Sequence, residues 1–292
     1  MSAAGRNSEE SRAMMTPDVG EISNVWDYVN PLNEEALSKS FHAAKPFRFI
    51  CVDDFLNSEF CHEVCQAYPS YRDAERNAER QFLAVNENRK LQIVDSELFP
   101  KSIRILKDAL AAPELLQTLS RITGIPDLQA DPELAGGGMH VMGPGSRLDV
   151  HVDFNMLVER KLHRRLNIVL YLNEGWQETW GGLLDVWDPE VKHCEHVLAP
   201  FANRAMIFNT VTDSFHGVTP VHCPPDRTRN SFASFYYTSA PPPDWDGKAF
   251  DTIWAYRPDE RWRRFLLAPP ERLARSIRRV LHLAERKGPG KY

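Results

Sequence analysis

The residues with the most chemical potential lie at 148–155, Leu-Asp-Val-His-Val-Asp-Phe-Asn. Apolar and polar side chains alternate there as in a β-strand, and side chains two apart on a strand share a face. His151 and Asp153 therefore present an imidazole and a carboxylate side by side, a pair that can hold adjacent positions on a divalent metal. A third ligand has to come from elsewhere in the fold. The best candidate is His216, in the run Asp-Ser-Phe-His-Gly-Val at 213–218. Two histidines and one carboxylate on one face of an octahedron leave three positions open, the arrangement of non-haem Fe(II) oxygenase sites. By itself His-x-Asp is a short motif, and a satisfied surface pair is the competing explanation.

The elements that would position these ligands are strands. From Gly136 onward the chain is β-rich. Strands are expected over 136–142 and 148–153, flanking a turn at Gly143-Pro144-Gly145-Ser146, and then over 165–173, 183–187, 195–198, 204–208 and 231–238. β-formers dominate 165–173, while Gly181-Gly182, Asp188-Pro189, Pro200, Asn203 and Pro224-Pro225 supply turns. Many short strands at this spacing point to a double-sheet jelly roll or related barrel. In front of it, a strand over 46–52 leads to a helix over 59–68 capped by Asn57 or Ser58. Two amphipathic helices follow over 100–111 and 113–123, the second stopped by Gly124. Residues 26–45 show little periodicity, 71–89 are charged and read as a mobile loop, and 91–94 read as a short strand. After Pro241-Pro242-Pro243 the chain turns helical, with Leu273, Ile277, Val280, Leu281 and Ala284 in one apolar stripe. The expected division is a flexible tail over 1–25, an α-rich support region over 26–130, a β core over 131–240, and a Pro-rich linker with a basic helix packed on that core over 241–292, one domain overall.

Composition narrows the possibilities. The 292 residues suffice for a sizeable core, and no apolar run reaches the length of a membrane span. The polar N-terminus lacks the apolar core of a signal peptide. Five cysteines (Cys51, Cys61, Cys65, Cys194, Cys223) are an odd number for a disulfide scaffold and fit a reducing compartment. A cytoplasmic location is therefore expected. Cys61 and Cys65, four apart on a helix, read as free thiols. Residues 257–292 hold eleven Lys/Arg and four Asp/Glu, a net +7, which leaves −12 for the rest of a chain with total charge −5. A basic end on an acidic body either recruits an acidic partner or docks on that body. Docking is expected and nucleic acid is not, because the apolar stripe needs a surface and an isolated helix of that length is marginal in water.

His151-x-Asp153, Tyr171-Leu172-Asn173, Gly181-Gly182, His216-Gly217-Val218, Arg229-x-Ser231 and Phe235-Tyr236-Tyr237 together resemble the prolyl-4-hydroxylase-type 2-oxoglutarate/Fe(II)-dependent dioxygenases, in the manner of stand-alone bacterial members. The resemblance covers roughly 136–239, plus the strand and Asp-Phe-Leu near Ile50. It implies an α+β chain, mainly β with flanking helices, around a double-stranded β-helix of the jelly-roll, cupin-like type. It implies Fe(II) on His151, Asp153 and His216, with 2-oxoglutarate and O₂ as cosubstrates, ascorbate as an auxiliary, and hydroxylation of an unactivated C–H with release of succinate and CO₂. The distal carboxylate of 2-oxoglutarate calls for a fixed cation, which arginine provides bidentately. Arg229 holds the family position at the start of the last strand. Arg227 is its rival, and counting back from Phe235-Tyr236 favours Arg229. Tyr171 matches a family tyrosine on that carboxylate, with Ser231 and Asn167 lining the same pocket.

Departures matter too. Met142 and Leu148 stand where collagen-type enzymes often carry tyrosines, and the front third shows no peptide-substrate domain, so the substrate is left as a small molecule or a peptide and the oligomeric state stays open. Asp153 argues against a halogenase, which needs that ligand position vacant. Of the other histidines in the β region, His163 is expected to be exposed, His193 and His196 to lie in a turn-like segment, and His222 to leave the strand face after Pro220, while His140 is expected near substrate or cosubstrate. Two alternatives stand beside the oxygenase: a non-catalytic ligand-binding protein on a cupin-like barrel, against which the triad and Arg229 speak, and a structural zinc site, which favours Cys/His tetrads.

Overall fold

The computed structural model describes residues 22–78, 80–83 and 86–260. Residues 1–21 of the tail expected over 1–25, and the apolar stripe from Leu273 to Ala284 of the expected basic helix, lie outside the described residues. Helices α1 (Glu34–Ala43), α2 (Ser58–Gln66), α3 (Tyr71–Asn77), α4 (Lys101–Ala111) and α5 (Pro113–Thr123) form one layer. The strands are β1 (Phe49–Val52), β2 (Arg80–Leu83), β3 (Glu87–Ile93), β4 (Gln129–Ala130), β5 (Gly138–Val152), β6 (Met156–Leu157), β7 (Leu162–Tyr171), β8 (Leu184–Trp187), β9 (Cys194–Leu198), β10 (Arg204–Asn209), β11 (His216–Val218), β12 (Arg229–Thr238) and β13 (Ile253–Trp254). Their pairing is antiparallel throughout, in the order β1-β10-β7-β12-β5-β11-β8-β9. Among the described residues, no helix is long and apolar enough to cross a membrane.

β5 belongs to both halves of this sheet. Its first residues pair with β12, from Met139 opposite Phe232 to Met142 opposite Arg229. Its last residues pair with β11, His151 opposite His216. The expected turn at 143–146 is therefore not a turn. β3 runs alongside, and its register shifts between Asn88, opposite Arg147, and Lys90, opposite Met142. The irregularity absorbs Gly143-Pro144-Gly145 without reversing the chain, and such bulges bend a strand.

The bend folds the sheet on itself as a double-stranded β-helix. Alternation along each strand then separates two environments. Leu166, Ile168 and Leu170 of β7, Ala205 and Ile207 of β10, and Phe232 and Tyr236 of β12 join the cluster that holds Ile103, Leu106, Leu110, Leu115, Leu119 and Ile122 of the helices. The opposite faces supply Tyr171, Met206 and Phe208, which meet Leu184 and Val186 of β8 across the interior. α4 and α5 form as expected. Their buried residues recur at three and four, and Gly124 ends α5 at φ +70. α2 starts on Asn57, whose side chain accepts from Glu59 N.

Two stretches differ from expectation. Residues 26–45 contain α1, capped by Asn33 accepting from Ala36 N, but only Phe41 of that helix is buried, so its periodicity is faint. Among the described residues of 71–89 are α3, β2 and the first three residues of β3. Ser70 caps α3 and Ala74 is its one buried residue, so a charged composition here marks an exposed helix and a sheet edge. The five cysteines are free, with Cys61 Sγ 4.0 Å from Cys65 Sγ.

The segment after the β-core straps back over β5. Ala255 N donates to Val150 O at 2.8 Å, and Trp254 sits opposite His151. Arg257 locks it, donating from Nε to Asp185 Oδ2 at 2.8 Å and from Nη2 to Asp185 Oδ1 at 3.1 Å. Both residues are buried, and removing one member of a buried pair strands the other charge. Arg257→Leu is expected to lower the unfolding free energy by about 3 kcal/mol, and the double variant Arg257→Leu/Asp185→Leu to recover part of that loss, as read by urea denaturation.

Candidate active site

His151 and His216 occupy facing positions on β5 and β11, with ring centroids 4.4 Å apart. Each ring is oriented by its own backbone. His151 Nδ1–H donates to Asp149 O at 3.0 Å, and His216 Nδ1–H donates to Ser214 O at 2.9 Å. Both Nε2 atoms are thereby left with a lone pair for a metal. Asp153 follows the last residue of β5. Its Oδ1 lies 3.6 Å from His151 Nε2 and its Oδ2 3.7 Å from His216 Nε2. Ligand atoms of the three residues fall within 4.8 Å of one another. Burial, with the neighbouring His151 charge, brings His216 down to about 4, so its ring is neutral near neutral pH. Burial pushes the Asp153 carboxyl up, but the positive charge of Arg164 and the adjacent histidines outweigh it and hold the group well below its ordinary value. Two imidazoles and a carboxylate so arranged fit an Fe(II) facial triad.

Asp153 is held by two residues that the sequence did not assign to it. Arg164 Nη2 donates to Asp153 Oδ2 at 3.0 Å, and Asn167 Nδ2 donates to the same oxygen at 2.9 Å. Arg164 Nε also donates to Asn167 Oδ1 at 2.7 Å, closing the triangle. The Arg164 guanidinium is sandwiched between Phe235, 3.5 Å away, and Phe154, 4.6 Å away. Asn167, expected to line the cosubstrate pocket, is thus turned to the metal ligand instead. A bulge explains the pairing: β12 skips Arg165 between Tyr236 and Tyr237, so Arg164 and Asn167, three apart, reach one group. His163 is buried, not exposed, with its ring 4.4 Å from that of Trp245. His193, His196 and His222 are exposed.

Behind the triad a cavity of about 90 Å³ runs to Arg229, lined by His140, Met142, Tyr171, Ser231 and Lys90 among others. Arg229 is 3% exposed. Its Nε donates to Gly182 O at 2.6 Å, and its guanidinium stands 5.1 Å from the Tyr171 ring. No carboxylate pairs with it among the described residues. A side chain on Gly182 would place its Cβ 2.9 Å from Arg229 Cδ, so only glycine lets the backbone come this close. The Tyr171 hydroxyl, pushed up to about 12 by burial, and His140 Nε2 are buried without hydrogen-bond partners in the protein. A buried cation and two orphaned polar atoms around one cavity suit a carboxylate ligand. Arg227 lies elsewhere, in a surface depression with Asp226, Trp176 and Trp180.

Residues 137–237 match the model of the 2OG-Fe(II) oxygenase superfamily. These residues carry a 2OG-Fe(II) oxygenase domain. As an oxygenase of this kind it uses Fe(II), 2-oxoglutarate and O₂. Among solved structures, the chain is similar to a prolyl-4-hydroxylase from Pseudomonas putida, with 19% identity over 69% of this chain and 98% of that one and a TM-score of 0.46. It is similar to a Trichoplax adhaerens prolyl hydroxylase in complex with a hypoxia inducible factor peptide, with 19% identity over 70% and 90% and a TM-score of 0.49. A 2OG-Fe(II) oxygenase family oxidoreductase from Burkholderia pseudomallei matches with 12% identity over 72% and 92% and a TM-score of 0.41. No curated protein matches the chain.

The hold on Asp153 is testable in this oxygenase. Partners of metal ligands are typically worth 10–100-fold in metal affinity. Arg164→Met and Asn167→Ala are each expected to weaken Mn(II) or Co(II) binding by about that factor in a calorimetric titration, with an unchanged far-UV circular dichroism spectrum.

Proposed function

We propose that His151, Asp153 and His216 hold Fe(II), that Arg229, Tyr171 and Ser231 hold the distal carboxylate of 2-oxoglutarate, and that the enzyme hydroxylates an unactivated C–H of a peptidyl or small-molecule substrate. The balance is R–H, O₂ and 2-oxoglutarate in, R–OH, succinate and CO₂ out. The observation that carries this reading is the buried Arg229, which faces the triad's cavity with no carboxylate paired to it among the described residues.

The metal would supply reductive activation of O₂ coupled to decarboxylation of the 2-oxo acid. The protein's residues do the rest. Arg229 fixes the far end of the cosubstrate, so the 2-oxo acid end reaches the triad in one register. Tyr171 gives that carboxylate a second donor. Arg164 and Asn167 occupy Asp153 Oδ2 and leave Oδ1 as the freer oxygen. Met142, Leu148, Leu184, Phe208 and Val218 line the cavity and exclude water. A non-catalytic binding protein would have no need of a complete triad with Nε2 atoms aimed at one carboxylate.

The direct test is Fe(II)-dependent succinate release from 2-oxoglutarate, abolished in His151→Ala, Asp153→Ala and His216→Ala. Arg229→Met is expected to raise the 2-oxoglutarate requirement on the order of a hundredfold, since losing a buried charge pair costs about 2–5 kcal/mol, while Arg227→Met leaves it near the wild-type value. Equal behaviour of the two variants in initial-rate kinetics would move the anchor off Arg229.

A further inference from the structure

Beside the triad lies an open groove of about 620 Å³, between residues 154–160 on one bank and 251–254 on the other. None of the triad lines it, but two of its lining residues touch the site. Trp254 lines it and stacks 5.1 Å from His151, and Phe154 lines it beneath Arg164. Its floor is apolar, with Phe154, Met156, Leu157 and Trp254. Its rim is acidic, with Glu133, Glu159 and Asp251. The lining includes one cation, Arg160, and that charge is already committed: Nη1 lies 2.6 Å from the buried Asp131 carboxylate and 3.7 Å from Glu133.

The banks are also where apolar surface is left in water. Four large hydrophobic residues are exposed among the described residues, and two of them belong here: Val158, 62% exposed, and Ile253, 39% exposed. Val158 lines the groove, and Ile253 sits between two residues that do. Exposed apolar side chains rimmed by charge mark interaction surfaces. Carboxylates beside an aromatic face recognise cations, through charge-assisted hydrogen bonds and cation–π contact. An enclosed pocket is the usual site for a small metabolite, whereas this groove is long and open.

We propose that the substrate is a peptide segment bearing positively charged and apolar side chains, laid in this groove with its oxidised residue beside His151 and Asp153. The inference rests on the oxygenase assignment of the triad, and deepens it by naming the substrate class. The cationic side chains lie along Glu133, Glu159 and Asp251, and the apolar ones between Val158 and Ile253.

The test uses the full-length chain and three short peptides: one alternating lysine and leucine, its glutamate counterpart, and its lysine-acetylated counterpart. Calorimetry at low salt is expected to show binding of the lysine peptide, with the other two at least about tenfold weaker. Glu133→Gln/Glu159→Gln/Asp251→Asn, all at exposed positions, is expected to weaken the lysine peptide by about tenfold at an unchanged melting temperature. With Mn(II) in the triad, the peptide's proton resonances are expected to broaden, placing it at the metal. Equal binding of the three peptides, no binding of the lysine peptide, an unaffected triple variant, or binding without broadening on Mn(II)-loaded protein would each overturn the proposal. Failure of Mn(II) to bind would instead count against the triad, while the calorimetry would still report on the groove.

Discussion

The antiparallel register that sets His151 opposite His216 is the constraint from which the rest of the site follows. Facing residues on neighbouring strands have their side chains about 5 Å apart, which brings two imidazoles to one metal without any loop having to hold them. Two features secure that register. The bulge at 143–146 turns β5 from its pairing with β12 to its pairing with β11, and Arg257 ties β5 and β8 together from behind. The same strand carries His140 and Met142 into the cavity that ends at Arg229. The triad and the cavity of Arg229 thus draw on two stretches of one strand.

Charge in the interior is arranged so that each buried ion has a distinct circumstance. Asp185 has Arg257, and Asp153 has Arg164. Arg229 faces a cavity with a carbonyl and a thioether as its hydrogen-bond partners and no carboxylate paired to it among the described residues. A buried cation so placed is costly unless an anion arrives, and this imbalance is what the proposed anchoring of a dicarboxylic cosubstrate would relieve. Placing the guanidinium against Gly182 limits its freedom, so it is held in one orientation.

Much of this could be read from residue types alone. His151, Asp153 and His216 are chemically distinctive, and the stretch that carries the first two alternates Leu148, Val150 and Val152 with Asp149, His151 and Asp153. Counting along β12 singled out Arg229, which lies on the triad's cavity, from Arg227, which does not. What could not be read were departures from regular pairing. The skipped residue opposite Tyr236 and Tyr237 brings Arg164 and Asn167 to the same carboxylate, and no sequence period announces a bulge. Residues 71–89 hid their order behind charge, because α3 buries little beyond Ala74. His163 misled for the same reason: its charged neighbours suggested solvent, while Trp245, far along the chain, covers it.

The separation of the ligands along the chain also sets an order of events during synthesis. His151 and Asp153 leave the ribosome together, on a strand whose partner β11 has not yet been made. At roughly 5–20 residues per second, His216 follows only after a delay on the order of ten seconds or less, and the strap with Trp254 and Arg257 follows later still. Until then the nascent chain offers a cation one imidazole and one carboxylate, a grip too loose to retain it. Selection of the metal therefore belongs to the closing of the sheet, when β11 takes its place between β5 and β8.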